Sequence, residues 1–474
     1  MMATKLPTIL ETIVATRRTH LPDIQSRIAH VDPTTLAVST RSLAAHLQGR
    51  GAGHFILECK SASPSLGLIR PEYHPGEIAR VYSRYASAIS VLCEPAYFGG
   101  DYDHLATVAA NTHLPVLCKD FIIDPCQIIA ARYFGADAIL LMLSVLDDAT
   151  YTTLATLAAS LGLDVLTEVS TADEAVRARG LGARIVGINH RNLHDLSIDL
   201  SRLDALATLL DDETIIVAES GIRDHATVTR LQGKCNGFLV GSQLTSQPDI
   251  DRAARTLIYG THKVCGLTTP ASAQLAKSAG AVYGGLIFED SSIRNVSRET
   301  SQTIIAAEPG LNYVAVSRRT SGWDRLMQPG IVAVQIHSPY QGSVSKEAAL
   351  IAQVRREVGP EIELWRAIAM DQEHGPTLAC ELAESVDTLV LDSGAGGTGK
   401  SFAWERIPAA VLDKSLLAGG IHAGNVTAAL QVGAAGLDLN SGVEYPRESK
   451  FAGAKDAHAV QAVLHTIRRY YQGV

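Results

Sequence analysis

The sequence has 474 residues, 46% of them hydrophobic and 19% charged; this is the balance of a globular chain, and the length calls for two domains. The formal net charge of -8 excludes the broad basic footprint of a nucleic-acid binder, but a local basic pocket for a small anion remains compatible with it. Seven cysteines, at 59, 93, 118, 126, 235, 265 and 380, are odd in number and form no C-x-x-C, which argues against a disulfide framework or a zinc site. The opening Met1-Met-Ala-Thr-Lys-Leu-Pro7 lacks the apolar core of a signal peptide, and the longest apolar stretch, 138–143, is too short to cross a bilayer. A cytoplasmic protein with no membrane contact is expected.

The chain opens with apolar residues at Leu6, Ile9, Leu10, Ile13 and Val14, the spacing of a helix. This leading segment, through about residue 53, precedes the first strand and is expected to cover one end of a domain. A rhythm then begins. Short apolar, β-rich runs fall at 55–59, 88–92, 115–118, 137–142, 163–168, 184–188, 214–219 and 236–240, with helix-like stretches between them. Alternation of strand and helix demands a parallel sheet, and eight units in this length have the size of a closed (β/α)₈ barrel. A second set of eight follows, at 262–265, 282–287, 312–317, 331–337, 362–368, 387–392, 416–419 and 435–439. No Gly/Ser-rich or Pro-rich linker separates the sets, so a close join is expected. The expected class is α/β, with two fused (β/α)₈ TIM barrels, residues 1–258 and 259–474, the first carrying an extra N-terminal helical segment. An open doubly wound sheet in each half is the competing fold, and the count of eight in both halves favours barrels.

In such barrels the reacting groups stand at the C-terminal ends of strands. The first run ends in Glu58-Cys-Lys60, which puts a carboxylate and an ammonium on one face of a strand. A structural ion pair is the bland reading of those two residues. The later strand ends add Lys119, Glu168, Asn189-His-Arg191, Glu219-Ser220 and Gly241-Ser242. Two lysines, three glutamates and an Asn-x-Arg on one rim exceed what a structural pair needs, and crowded acids and bases push one another's pKa values apart. Gly221, Gly241 and Ser242 follow strands seven and eight, where barrel enzymes commonly hold phosphate through backbone N–H groups, and Ser63 adds a hydroxyl from the first loop.

Ile56-Leu-Glu-Cys-Lys-Ser-Ala-Ser-Pro-Ser65, Leu117-Cys-Lys-Asp-Phe-Ile-Ile-Asp-Pro125, Leu166-Thr-Glu-Val169, Val186-Gly-Ile-Asn-His-Arg-Asn192 and Ala218-Glu-Ser-Gly-Ile222 resemble indole-3-glycerol-phosphate synthase. The resemblance runs from about residue 6 to 257. It implies cyclisation of 1-(2-carboxyphenylamino)-1-deoxyribulose 5-phosphate to indole-3-glycerol phosphate, with loss of carbon dioxide and water and without cofactor or metal. It implies that Lys119 is the general acid on the ketone oxygen and Glu168 the base of the dehydration, with Lys60 and Glu58 in the same proton network. Asn189 and Arg191 would position the substrate, Glu219 and Ser220 would line the pocket, and Ser63, Gly221, Gly241 and Ser242 would hold the phosphate. Leu66 departs from the family's frequent Lys, and His190 from its usual residue.

In the second half, Cys265 ends the first strand and Asp392 the sixth, a thiol and a carboxyl on one barrel mouth able to act as base and acid. The base role requires a lowered thiol pKa. Lys263-Val-Cys-Gly-Leu-Thr268, Tyr283-Gly-Gly-Leu-Ile-Phe288, Val334-Gln-Ile-His337, Val390-Leu-Asp392, Gly396-Gly-Thr-Gly-Lys400, Leu417-Ala-Gly-Gly420 and Gly436-Leu-Asp-Leu-Asn-Ser-Gly-Val-Glu444 resemble phosphoribosylanthranilate isomerase. That resemblance implies an Amadori rearrangement whose product is the substrate of the first half. Asp392 would protonate the ring oxygen and Cys265 would take the proton from C2 of the sugar. Arg294 would bind the anthranilate carboxylate, His337 and Asp438 would line the pocket, and Gly420, Ser441 and Gly442 would take the phosphate. Ser338 stands where the family usually has Gly.

Gly394-Ala-Gly-Gly-Thr-Gly-Lys-Ser401 also fits the nucleotide-binding pattern G-x-x-x-x-G-K-[ST]. Pro408 cuts short the helix such a loop needs, and the motif falls on the sixth strand of eight, so a loop over a sugar phosphate is the better reading. A nucleotide-dependent protein, a half that has lost activity and a pure scaffold are the rivals. The expected partners are anionic sugar-phosphate substrates, with no nucleic acid, and a monomer is expected.

Overall fold

The computed structural model describes residues 8–49, 53–192, 197–394 and 402–470. They fall into two compact units, one ending at residue 257 and the other spanning 258–470. Each unit is built on one closed, parallel, eight-stranded barrel. The first comprises β1 His54–Cys59, β2 Ala88–Leu92, β3 Val116–Lys119, β4 Ala138–Met142, β5 Asp164–Val169, β6 Ile185–Asn189, β7 Ile215–Glu219 and β8 Gly237–Val240. The second comprises β9 Lys263–Val264, β10 Tyr283–Ile287, β11 Asn312–Ser317, β12 Ile331–Ile336, β13 Glu363–Ala369, β14 Thr388–Asp392, β15 Ser415–Leu417 and β16 Gly436–Leu439. Closure is explicit in the register. Residues of β1 pair with β2 (Ile56 with Ala88) and with β8 (His54 with Gly237), and Lys263 of β9 pairs with both Tyr283 and Asp438. An open sheet in either half is thereby excluded.

The strands are short apolar runs because both of their faces are covered. Every residue of β2, β4, β6 and β7 is buried, as parallel strands between a helical layer and a filled barrel must be. The connecting helices start where the sequence supplies caps. Asp124 and Gln127 form a reciprocal capping box around Pro125, and Thr269 with Ser272 does the same before Pro270–Ala279.

The N-terminal segment touches both ends of the first barrel. Helix α1, Thr8–Thr19, sends Leu10 and Val14 into the same apolar cluster as Leu140, Met142 and Leu239, and Ile9 and Ile13 reach the cavity at the C-terminal strand ends. After α2, Leu21–Arg27, the chain runs to the opposite end. There Ser39 donates to Asp137 (2.6 Å), Arg41 pairs with Asp137 (2.9 Å) and Ser42 donates to Asp164 (2.8 Å). Those two aspartates sit at the starts of β4 and β5, so the segment is fastened to the N-terminal strand ends. Leu43 and Leu47, both fully buried, then plug the barrel interior.

No helix among the described residues is long and apolar enough to cross a membrane. Replacing the plug residue in Leu43→Ala is expected to cost about 2–5 kcal/mol, the range for an unfilled core cavity, and a lowered urea midpoint for the chain is the measurement that checks it.

Candidate active sites

The C-terminal ends of β1 to β8 open into a cavity of about 710 Å³. Its floor is a chain of charges. Glu58, on β1, pairs with Lys60 at 2.6 Å and lies 4.0 Å from Lys119 on β3. Lys119 in turn donates to Glu219 of β7 at 2.9 Å. On β6, Asn189 donates to Glu168 of β5 at 2.9 Å. Glu58, Glu168 and Glu219 are all buried, at 2%, 5% and 1% exposure, so their charges are matched within the protein or not at all.

The titration of these groups follows from that crowding. Burial pulls the Lys119 ammonium toward neutrality, but Glu219, Glu58 and Glu168 more than offset it and hold the ammonium charged far above its ordinary range. Burial acts on Glu58 too, yet Lys60 and Lys119 keep it below the usual carboxylate value. Glu168 goes the other way. Burial and the Glu219 charge push it up to about 7, against the pull of Lys119 and Asn189. One rim thus holds a committed proton donor and a carboxyl poised near neutrality, the separation that assigns acid and base roles.

Two glycines make the crowding possible. A Cβ on Gly187 would lie 2.0 Å from Glu219 Oε1, and one on Gly241 would lie 2.3 Å from Glu58 Oε1 and 3.1 Å from Lys60 Nζ. Beyond β7 the chain turns sharply. Ser220 is the only non-glycine among the described residues with positive φ (65°), and Gly221 follows at 77°. Holding a serine in this region costs on the order of 1–3 kcal/mol. The His190 ring bonds the Ser220 carbonyl through Nδ1 at 2.9 Å and so pins the turn.

The cavity wall is chemically mixed. Ser63, Ser220, Gly221, Gly241 and Ser242 contribute small polar surface, while Phe98, Phe121, Leu140, Met142 and Leu239 contribute apolar surface suited to an aromatic ring. Lys60 Nζ lies 3.4 Å from Ser242 Oγ, which brings a positive charge to the polar surface. Arg191 and Arg223 also line it, so this mouth carries several cations in an acidic protein.

The second barrel opens into a smaller cavity of about 330 Å³, lined by Cys265, Arg294, His337, Asp392, Gly420, Asp438 and Ser441 among others. Burial raises the Asp392 carboxyl, although the Ser393 N–H bonds its Oδ1 at 2.7 Å. His337 stands 3.9 Å from Asp392, and burial together with Lys263, Arg366 and Arg318 lowers its pKa to about 4, so it is neutral at pH 7. Asp438 bonds the buried Lys263 at 2.8 Å, and Lys263 also reaches Gln335 at 2.6 Å. Arg294 is held by Glu444 through two bonds of 2.7 Å each.

The indole-3-glycerol phosphate synthase family matches residues 10–257, and the N-(5'-phosphoribosyl)anthranilate isomerase family matches residues 262–466. The chain is 63% identical over 473 residues to the tryptophan biosynthesis protein TrpCF of Corynebacterium glutamicum, covering 99% of this chain and 100% of that protein. The chain belongs to the TrpCF family. To TrpCF of Yersinia pestis it is 47% identical over 419 residues, which are 88% of this chain and 85% of that one. Among solved structures, the phosphoribosyl anthranilate isomerase from Thermus thermophilus is 27% identical, covers 43% of this chain and 96% of its own, and gives a TM-score of 0.36.

Against the TrpCF pattern, the structure brings nearly every residue singled out in the sequence to one of the two cavities. Gly442 is the exception. It is absent from the cavity wall, and a Cβ there would lie 2.1 Å from the Ile421 carbonyl oxygen, so its smallness serves backbone packing. Arg294 lines the cavity but is already engaged by Glu444. Cys265 does not have the lowered pKa that a base requires: burial raises it, with Lys263 pulling it back only in part. The P-loop-like segment 395–401 lies outside the described residues. Of the departures, Leu66 is 60% exposed at the cavity rim, His190 braces the Ser220 turn, and the Ser338 carbonyl accepts from Arg366 at 2.9 Å.

Several residues carry the sites without having been signalled. Arg17 of α1, 2% exposed, pairs with Asp120 at 2.5 Å, and Tyr102 donates to the same carboxylate at 2.9 Å, which anchors the helix beside Lys119. Lys455, too, was not signalled; with Lys263, Gln335 and Glu444, which stood within the matching motifs without a role, it surrounds Cys265 and Arg294.

Gly187→Ala is expected to displace Glu219 from Lys119 and to lower synthase kcat by about 100-fold, the scale of a misplacement near 1 Å. Steady-state synthase and isomerase assays on the same variant check this, the isomerase rate serving as the internal control.

Proposed function

We propose that Lys119 and Glu168 in the first barrel, and Asp392 and Cys265 in the second, move the protons of the two reactions this family links. The chain is a bifunctional enzyme of tryptophan biosynthesis. Its C-terminal barrel isomerises N-(5-phosphoribosyl)anthranilate to 1-(2-carboxyphenylamino)-1-deoxyribulose 5-phosphate. Its N-terminal barrel cyclises, decarboxylates and dehydrates that product to indole-3-glycerol phosphate. We assign the synthase to residues 1–258 and the isomerase to 259–474.

In the isomerase, opening the ribose ring requires a proton on the ring oxygen. Asp392 is the donor, since a carboxyl raised by burial keeps its proton longer than an exposed one. Removal of the C2 proton by Cys265 then gives the enol-amine that tautomerises to the ketone. His337 and Asp438 shape the pocket, and Arg294, oriented by Glu444, meets the anthranilate carboxylate. Gly420 and Ser441 face the phosphate.

In the synthase, the aromatic ring carbon attacks the ketone carbon and negative charge develops on the carbonyl oxygen. Lys119, kept charged by three carboxylates, supplies the proton. Carbon dioxide leaves as the ring regains aromaticity. Glu168 then takes a proton as the hydroxyl departs, with Lys60 and Glu58 completing the relay. Asn189 and Arg191 orient the substrate, Glu219 and Ser220 line its site, and Ser63, Gly221, Gly241 and Ser242 cradle the phosphate. The observation that carries this reading is the pairing, on one rim, of Lys119 bonded to Glu219 at 2.9 Å with a Glu168 carboxyl at about 7. The seven cysteines, all free thiols in the structure, fit the reducing cytoplasm, where we place the enzyme; we read it as a monomer.

Product analysis with phosphoribosylanthranilate tests the assignment. The wild type is expected to yield indole-3-glycerol phosphate, Lys119→Ala to stop at the carboxyphenylamino-deoxyribulose phosphate, and Cys265→Ala to leave the starting compound. Full turnover by either variant would remove that residue from its role.

A second test concerns pH. A base must be deprotonated, so synthase activity should rise through pH 7 and fall about tenfold per unit below it. Asn189→Leu removes the hydrogen bond that favours the charged Glu168, and should move this limb to higher pH. A limb that stays in place would separate it from Glu168.

A further inference from the structure

Cys265 is 3% exposed, and a thiol buried among apolar neighbours gives up its proton reluctantly. What surrounds it decides whether it can act as a base. Lys263 lies two residues earlier, at the start of β9, and is fully buried with its Nζ bonded to Asp438 and Gln335. A Cβ on Gly285 would sit 2.6 Å from Cys265 Sγ and 2.9 Å from Lys263 Cε, so the missing side chain lets thiol and ammonium stem share one space.

On the other side, Lys455 bonds Glu444 at 2.5 Å and Asn440 Oδ1 at 2.9 Å. A Cβ on Gly266, the residue after the thiol, would meet Arg294 Cδ at 2.8 Å and Lys455 Nζ at 3.4 Å. Three cations, Lys263, Lys455 and Arg294, therefore stand around Cys265 against two carboxylates, Asp438 and Glu444. Across the cavity, His337 is neutral at pH 7, and Asp392 is the carboxyl read as carrying the reaction's proton. Arg318 and Glu289, which also line the cavity, add one charge of each sign. Among the described residues the cations thus outnumber the carboxylates of this shell by one, and a thiolate at Cys265 would balance that excess.

We propose that Lys263 and Lys455 are positioning residues for Cys265, two buried ammonium groups whose excess charge stabilises its thiolate. Neither lines the cavity, so they act through the sulfur and not on the substrate. Their effect has the required sign: burial and Asp438 hold the proton on Cys265, while Lys263 and Lys455 both favour its loss. Burial draws Lys455 itself below the ordinary lysine value, and Glu444 and a charged Cys265 are what hold its proton in place. The proposal rests on the reading of Cys265 as the isomerase base.

The test uses the full chain. Alkylation of Cys265 by iodoacetamide is followed against pH by peptide mass spectrometry, which separates it from the other six cysteines. The isomerase kcat/KM profile is measured beside it in the wild type, Lys455→Met, Lys455→Arg, Lys263→Met and Cys265→Ala. In Lys455→Met the alkylation midpoint and the rising limb of the profile are expected to move up together by about one pH unit, a loss of about tenfold on that limb. Lys455→Arg, which keeps the charge, should retain the wild-type midpoint. Lys263→Met should move it in the same direction, with circular dichroism confirming that the variant is folded. A uniform loss of rate with an unmoved midpoint in Lys455→Met overturns the proposal. Isomerase activity surviving in Cys265→Ala would instead overturn the reading of the base, so the two failures are distinguishable.

Discussion

The ion pair between Lys119 and Glu219 is the contact on which the first site depends. Each partner is carried by a strand, β3 and β7, on nearly opposite sides of one barrel, and neither charge has enough water to be stable alone. Burying ions is costly unless each finds a partner, so the barrel is under constraint to keep these strand ends in register. The same constraint spreads to Glu58 on β1 and to Lys60 just beyond that strand. It ends at Glu168, the one carboxylate with no ammonium of its own. Two cations serve three carboxylates, and the unmatched one holds a proton up to about pH 7. The raised carboxyl thus follows from burial first and from the uneven charge count second, within a fixed framework.

Space is the second constraint. Side chains of this size meet only where the adjacent strand has no Cβ to exclude them, and Gly187 and Gly241 serve the first barrel as Gly285 and Gly266 serve the second. These four glycines are places where backbone bulk was given up so that functional groups could approach. The turn after β7 adds a conformational demand, since Ser220 sits in the left-handed region. The bond from His190 to the Ser220 carbonyl offsets part of that strain, of order 1 kcal/mol for a hydrogen bond against 1–3 for the conformation. His190 thereby determines where the backbone of the Ser220–Gly221 turn lies at the cavity wall.

The strands were legible because both of their faces are buried, which writes each as a short apolar run bounded by turn residues. The residues at strand ends were legible for the complementary reason: ionisable side chains directly after an apolar run are conspicuous. What lay beyond reading were partnerships across long sequence separation. Nothing in the sequence joins Arg17 to Asp120, or Lys455 to a thiol 190 positions earlier. Lys263 was visible within a motif, but no spacing rule says that its ammonium is fully buried beside Asp438. Gly442 shows the same limit, because a Gly next to a Ser after the last strand looks the same whether it faces a ligand or, as here, packs against a neighbouring carbonyl.

The two barrels solve one problem with opposite signs. On the proposed roles, both must hold a base whose proton comes off near neutral pH, but they start from different groups. A carboxyl loses its proton too early, and the first barrel raises Glu168 by burying it and by placing the Glu219 charge beside it. A thiol loses its proton too late, so a base at Cys265 calls for positive charge: Lys263, Lys455 and Arg294 stand there against Asp438 and Glu444, and Lys263 and Lys455 pull back part of the rise that burial causes. Environments that push unlike groups toward the same working range are how one fold runs different proton chemistry. On this view the choice of residue at the reacting position and the charge of the shell around it cannot vary independently: a carboxyl in place of Cys265 would sit in a surplus of cations and be too weak a base, and a thiol in place of Glu168 would sit among carboxylates and keep its proton.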